Sequence, residues 1–258
     1  MSSATFVNPK VGATSDPVDS WYRYYAGYSA GFVEQVLLGR PSAPDVVLDP
    51  WNGTGTTTVV AASQSIAAVG FDVNPALVVV ARARLLGAGV WASIQPLGDD
   101  VISHATNAEL DDDPLRFWFT PTAAAVIRGQ QQSVHRLLVD AGSASRPVYE
   151  QASAMSTLAA FFYTVLFRTV RVLIAPAAGT NPTWWKRVSE DALLSLDSDA
   201  VMAQFRDSAK ELADGLHRDN YVGGGVSLWG SSSRGSGWRL VGGAVSEHGE
   251  QDVAASAG

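Results

Sequence analysis

The chain has 258 residues, of which 47% are hydrophobic and 17% charged, with a net charge of −7. That mixture supports a packed core, as one large domain or two small ones, and excludes wholesale disorder. The absence of cysteine excludes disulfides and thiolate metal sites and fits a reducing cytoplasm. The acidic balance means that any nucleic-acid contact must come from a local basic patch.

Residues 1–20 are polar and turn-rich, with Pro9 and Pro17, and no charged and then apolar leader opens the chain. Trp21–Leu38 is expected to be helical after an aromatic cluster, because Phe32, Val33, Val36 and Leu37 recur at helical spacing. Gly39, Pro41 and Pro44 break it. Val46–Leu48 is a short apolar run suited to a buried parallel strand, and Asp49–Gly55 is a turn. Thr56–Ser65 reads as a helix, Ala67–Phe71 as a second buried strand and Asn74–Leu86 as a second helix. The order strand, helix, strand, helix predicts a parallel α/β sheet.

Beyond Gly87 the character changes. Asp111–Asp113 reads as a surface acidic run. Thr120-Pro121 is a helix start, with threonine as cap and proline in the first turn. Helices are expected over Thr120–Val139, Ala152–Ile174 and Ser189–Leu216, making residues 101–220 mostly helical. The most apolar stretch, Leu158–Ile174, is interrupted by Arg168 and Arg171, which favours a buried helix over a membrane span. The two arginines lie one turn apart and read as a solvated or ion-paired edge, with phosphate contact as the alternative. From Tyr221 to Gly258, 10 of 38 residues are glycine and 7 are serine, a composition for a loosely attached or disordered tail, although Gly223–Leu228 begins a plausible strand. His104, His135, His217 and His248 are isolated and form no metal spacing, so no metal is expected.

The stretch that carries chemistry is Val46 to Thr56. A strand ends at Asp49, and Pro50-Trp51-Asn52-Gly53-Thr54-Gly55 turns tightly into a helix at Thr56. A ligand would lie at the strand's carboxyl end, beside a helix N-terminus, with the backbone approaching closely at Gly53 and Gly55. A P-loop needs lysine where Thr56 stands, and the dinucleotide fingerprint needs a third glycine where Thr58 stands. An acid ahead of the glycines suits a cationic ligand better than a pyrophosphate. Asp72, 23 residues after Asp49 and at the end of the second strand, is placed to accept ribose hydroxyls. The plainer alternative is a generic α/β turn with a helix-capping aspartate. Asp49, Gly53, Gly55 and Asp72 are therefore expected to line one pocket, and Gly55→Val to abolish binding while leaving the fold intact.

Asp49-Pro50-Trp51-Asn52-Gly53-Thr54-Gly55-Thr56 resembles motif I of the DNA N6-adenine and N4-cytosine methyltransferases, with Trp51 in place of the usual phenylalanine. Gly70-Phe71-Asp72-Val73-Asn74-Pro75 resembles their following motif, and Tyr24 to Phe32, including Tyr25, their weaker motif X. The resemblance covers Trp21 to Leu86. It implies S-adenosylmethionine as cofactor, held by Tyr25, Asp49, Pro50, Asn52, Gly53, Thr54, Gly55, Thr56, Asp72, Asn74 and Pro75. It implies a Rossmann-like methyltransferase core over residues 1–100 with a helical insertion at 101–220, and DNA as partner, its target base flipped out of the stack. Methyl transfer is an in-line attack by an exocyclic amine, so catalysis is largely positioning.

The family's (Asp/Asn/Ser)-Pro-Pro-aromatic motif is absent. The nearest string is Asn181-Pro182-Thr183-Trp184, which makes Asn181, Pro182 and Trp184 the candidate catalytic residues. A structural or DNA-contacting loop is the alternative, with Trp184-Trp185-Lys186-Arg187 offering stacking and phosphate contacts. Two clear strands are few for such a core. A chain shortened relative to a longer enzyme, or one that depends on a partner subunit for the missing elements, accounts for that. A helical interaction module with a vestigial nucleoside site, and a methyltransferase for RNA or a small molecule, are the other readings.

Overall fold

The computed structural model describes residues 21–22, 27–39, 46–143, 145–177, 186–218 and 226–230. The protein is mixed α/β and mostly helical, with a small parallel sheet. Three strands, β1 (Val46–Asp49), β2 (Ala67–Asp72) and β3 (Val226–Gly230), lie in the order β1-β2-β3. Both pairings are parallel, with Asp49 beside Gly70 and Asp72 beside Gly230. Within the glycine- and serine-rich tail, the strand expected to begin at Gly223–Leu228 is present as Val226–Gly230. Backbone pairing along β2 holds this five-residue strand in a ladder that the tail's composition alone does not reveal. Residues 231–258 lie outside the described residues.

Helix α1 (Ala30–Leu38) starts nine residues later than the spacing predicts, because the Ser29 hydroxyl caps it by accepting from the Phe32 N–H at 3.3 Å. Trp21 is not on that helix. It is buried at the edge of Phe161, with ring centroids 5.7 Å apart. Helices α2 (Thr56–Ser63) and α3 (Pro75–Ala83) follow β1 and β2 as expected. Asn74 caps α3, its side chain accepting from the Ala76 N–H at 3.0 Å, and Pro75 takes the first turn. On one sheet face Val47 and Ala68 pack with Val33, Leu37, Val60 and Ala61 of α1 and α2. On the other face α3 is drawn into the main core.

That main core crosses residue 100, where the sequence suggested a boundary. Helix α4 (Trp91–Ser103) spans the position. Val78, Val79, Ile94, Val101, Phe161, Phe162, Phe205 and Leu212 form one buried cluster, contributed by α3, α4, α7 (Thr157–Ile174) and α8 (Ser198–Arg218). The helix expected over Ala152–Ile174 is two, α6 (Val148–Ala154) and α7, because Ser156 adopts an extended conformation and caps α7 through the Ala159 N–H. Likewise Ser189–Leu216 resolves into a short 3₁₀ turn at Glu190–Ala192 and then α8. Helix α5 (Pro121–Leu138) is capped by Thr120, in line with its sequence signature.

By length and composition α7 is, taken alone, the one described helix able to cross a membrane. In the fold its Ala159, Ala160, Phe161, Phe162 and Val165 are fully buried against other helices. Its two arginines form an ion-paired and stacked edge, with Arg168 pairing with Glu211 and Arg171 lying over the Tyr22 ring.

The acidic run at 111–113 is not wholly a surface feature. Asp113 is buried and receives two hydrogen bonds from Arg128, Nε at 2.8 Å and Nη2 at 2.7 Å, and a third from the Leu115 N–H at 2.9 Å. Burial alone would raise this carboxyl. The hydrogen bonds from Arg128 and Leu115 and the charges of Arg128 and Arg116 outweigh it and hold the group below its ordinary 3.8. Its contribution to stability is therefore complete above the ordinary value and is lost as pH falls through the lower folded value. Arg128→Met leaves this buried carboxylate without its cation and should cost about 3 kcal/mol at neutral pH. Denaturant unfolding should show that deficit shrinking once the pH drops below the ordinary carboxylate range. A deficit independent of pH would assign the loss to packing instead.

Candidate nucleoside site

The site is built where two parallel strands end side by side and their loops are tied together. Main chain joins them first, as the Asn52 N–H donates to the Phe71 carbonyl at 2.8 Å. A side chain joins them again, as Asp72 Oδ2 accepts from the Gly53 N–H at 2.9 Å while Oδ1 accepts from the Asn74 N–H at 2.8 Å. Gly53 has φ of 55° and Gly55 φ of 90°, the left-handed conformations that let the chain reverse into α2 within one turn. Asn52 is buried, and its side-chain oxygen accepts from the Thr58 hydroxyl at 3.1 Å. It lies across β2 at Gly70, where a Cβ would meet it at 2.6 Å.

The two acids differ in their remaining capacity. A carboxylate has about four acceptor positions. Asp72 is partly exposed, and the hydrogen bonds described for it occupy two. Asp49 is only 8% exposed and accepts three: from the Trp51 N–H at 3.0 Å on Oδ1, and from the Tyr28 hydroxyl at 2.8 Å and the Thr57 hydroxyl at 2.5 Å, both on Oδ2. Burial first of all, reinforced by the hydrogen bond to Asp49 and its charge against an opposing contact from Thr57, pushes the Tyr28 phenol up to about 12. Thr56 is buried in the first turn of α2, and Pro50 and exposed Trp51 form the rim of the turn.

Sequence reasoning named neither Thr57 nor Arg84 here, and held Tyr28 only within the stretch Tyr24 to Phe32. Tyr28 and Thr57 hold Asp49. Arg84, 3% exposed, reaches from the end of α3 and donates to the Thr54 carbonyl at 3.0 Å, clamping the middle of the glycine turn. Tyr28 lies inside the aromatic cluster ahead of α1, so a signal existed. Arg84 gave none, because its role depends on how α3 crosses the turn.

Gly55 has a packing duty in addition to the one expected. A Cβ there would fall 2.7 Å from the Ala81 Cβ and 3.0 Å from its Cα. The glycine lets the start of α2 rest on α3, so a valine would strike the protein itself, and substitution there is not neutral for the fold.

Tyr25, Asn181, Pro182 and Trp184 lie outside the described residues. What flanks residues 181–184 is clear. They are preceded by the end of α7, where Ala177 N–H donates to the Ile174 carbonyl at 2.8 Å. They are followed by Lys186, whose carbonyl accepts from Trp118 Nε1 at 2.8 Å, and by Arg187, which stacks 3.5 Å over the Phe117 ring. Ile174 and Trp118 belong to a second hydrophobic cluster centred on Phe119 and Val201, to which β1, β2 and α1–α3 contribute nothing. Among the described residues no group of three or more His, Asp or Glu is arranged to hold a metal. Compared with protein-family models, with curated proteins and with solved structures, the chain matches none.

Proposed function

We propose that this chain binds S-adenosylmethionine at the carboxyl edge of β1 and β2, in a Rossmann-like core, and serves methyl transfer to an exocyclic amine of adenine or cytosine in DNA. The observation that carries the reading is Asp72. It ends the strand next to the glycine turn, orders that turn through the Gly53 N–H, and keeps acceptor positions for a vicinal pair of hydroxyls. A second carboxylate, Asp49, stands at the end of the neighbouring strand. Two carboxylates at a helix N-terminus disfavour an anionic ligand and favour one carrying hydroxyls and positive charge. Asn181, Pro182 and Trp184 are the proposed elements for the target base, and Lys186 and Arg187 a local basic contact for the phosphate backbone.

The deciding experiment is calorimetric titration with S-adenosylmethionine. The chain should bind it, and Asp72→Asn should weaken binding by roughly 10- to 100-fold, the equivalent of about 1.5–3 kcal/mol for hydrogen bonds to a charged group. No binding by the unsubstituted chain, or equal affinity in the variant, rejects the assignment.

A second reading is favoured by β1 itself. Val46 is 55% and Leu48 63% exposed, although parallel strands are normally covered on both faces. A cofactor-binding chain that lacks part of its sheet, and is inactive alone, has this surface. Methylation of mixed DNA by the isolated chain would reject that reading.

A further inference from the structure

The contacts around Asp49 contain a conflict of protons. Asp49 Oδ2 lies 2.8 Å from the Tyr28 hydroxyl and 2.5 Å from Thr57 Oγ1, and the two hydroxyl oxygens lie 2.5 Å from each other. Three close oxygen–oxygen contacts need three hydrogens, and the two hydroxyls supply two. Whichever way they rotate, one contact has no proton between its oxygens. Among the described residues every partner of Asp49 is a neutral donor, and the three contacts are short of one hydrogen. The three donors are not equally replaceable. The Trp51 N–H is main chain. Thr57 is fixed in the first turn of α2. Tyr28 precedes α1, is partly exposed, and touches Phe32 ring edge to face at 6.0 Å.

We propose that Tyr28 is a positioning residue that competes with the ligand's ammonium group for Asp49. This rests on the nucleoside reading above. An ammonium has three donors and a positive charge. Placed at Oδ2 it provides the missing hydrogen and brings a positive charge, and the Tyr28 hydroxyl is the donor that gives way. Thr57 then keeps a single, unshared hydrogen bond to the acid. Tyr28 thereby sets how strongly the site distinguishes a nucleoside bearing an amino-acid tail from a bare nucleoside. The raised phenol follows from the same enclosure, since ionising it beside the Asp49 charge is unfavourable.

The test uses two probes on the full chain, S-adenosylhomocysteine, which carries the ammonium, and adenosine, which does not. Tyr28→Phe keeps the ring and removes the competing hydroxyl. It should tighten S-adenosylhomocysteine about fivefold, the size of one net hydrogen bond, and leave adenosine unchanged. A structural role would shift both probes alike, and that result overturns the inference, as does weaker binding of S-adenosylhomocysteine alone. Independently of how the variant folds, a fluorotyrosine placed at position 28 should change its fluorine resonance with S-adenosylhomocysteine and not with adenosine. The same change with both probes counts against it. If neither probe binds the unsubstituted chain, the nucleoside reading falls and this inference with it. If both bind and their ratio ignores Tyr28, the inference alone fails.

Discussion

Gly55→Val should lower the thermal unfolding midpoint by about 10 °C, before any ligand is considered. Two costs add. A non-glycine residue held at φ of 90° is strained by about 1–3 kcal/mol. A side chain whose Cβ falls 2.7 Å from Ala81 Cβ and 3.0 Å from Ala81 Cα must push α2 away from α3, and overpacking of that kind costs about 1–3 kcal/mol more. Neither clash is with the end of a flexible side chain that could swing aside. A sum near 4 kcal/mol is a large part of the roughly 5–15 kcal/mol that stabilises a typical protein, and each kcal/mol lowers the midpoint of a chain this size by about 2–4 °C. Circular dichroism melts of the variant and of Gly55→Ala give the measurement, with alanine expected to carry much of the loss. An unchanged midpoint together with lost S-adenosylmethionine binding would return Gly55 to the role its sequence context suggested, a glycine needed for the ligand alone.

The isolated chain should self-associate at micromolar concentrations, and Leu48→Lys should weaken that association by roughly 100-fold. Among the described residues strand β1 pairs only with β2, and none of them forms a ladder along its outer edge. Val46 and Leu48 lie on the face opposite Val47, the residue that packs with α1 and α2. Trp51, 79% exposed, continues apolar surface past the strand's end. The exposed face of β1, at Val46 and Leu48, carries no lysine or proline of the kind natural edges use to discourage pairing. Covering a leucine stabilises by about 1.5–3 kcal/mol, so a lysine at 48 removes enough to disperse the assembly. The side chain is already 63% exposed in the single chain, so the variant should keep its melting midpoint. Sedimentation velocity across a concentration series is the measurement. A chain that stays monomeric at tens of micromolar would show the edge to be covered, and would remove the motive for an incomplete sheet.

The sequence by itself determined the strand–helix–strand–helix order from Val46 to about Leu86, and with it the placing of Asp49, Gly53, Gly55 and Asp72 on one sheet edge. Those features are local. Short apolar runs, a cap at Asn74, proline at position 75 and two glycines in a turn act over a few residues, and neighbours in the chain suffice to specify them. The start of α5 at Thr120-Pro121 was legible for the same reason. Tertiary structure decided the rest. Trp21 left the predicted helix because a place beside Phe161 buries it. Asp113 became half of a buried ion pair because Arg128, fifteen residues on, comes back to it. The strand suggested at Gly223–Leu228 is fixed at Val226–Gly230 by its pairing along β2. Arg84 found Thr54, and Tyr28 and Thr57 found Asp49, across 30, 21 and 8 residues of chain. In each case the deciding energy is a contact between residues far apart in sequence, which periodicity and spacing cannot encode. Trp51 and Asn74 serve their acids from two residues away, but that Tyr28 and Thr57 reach Asp49 and Gly53 reaches Asp72, and hence how the site would receive a cation, is written in the fold.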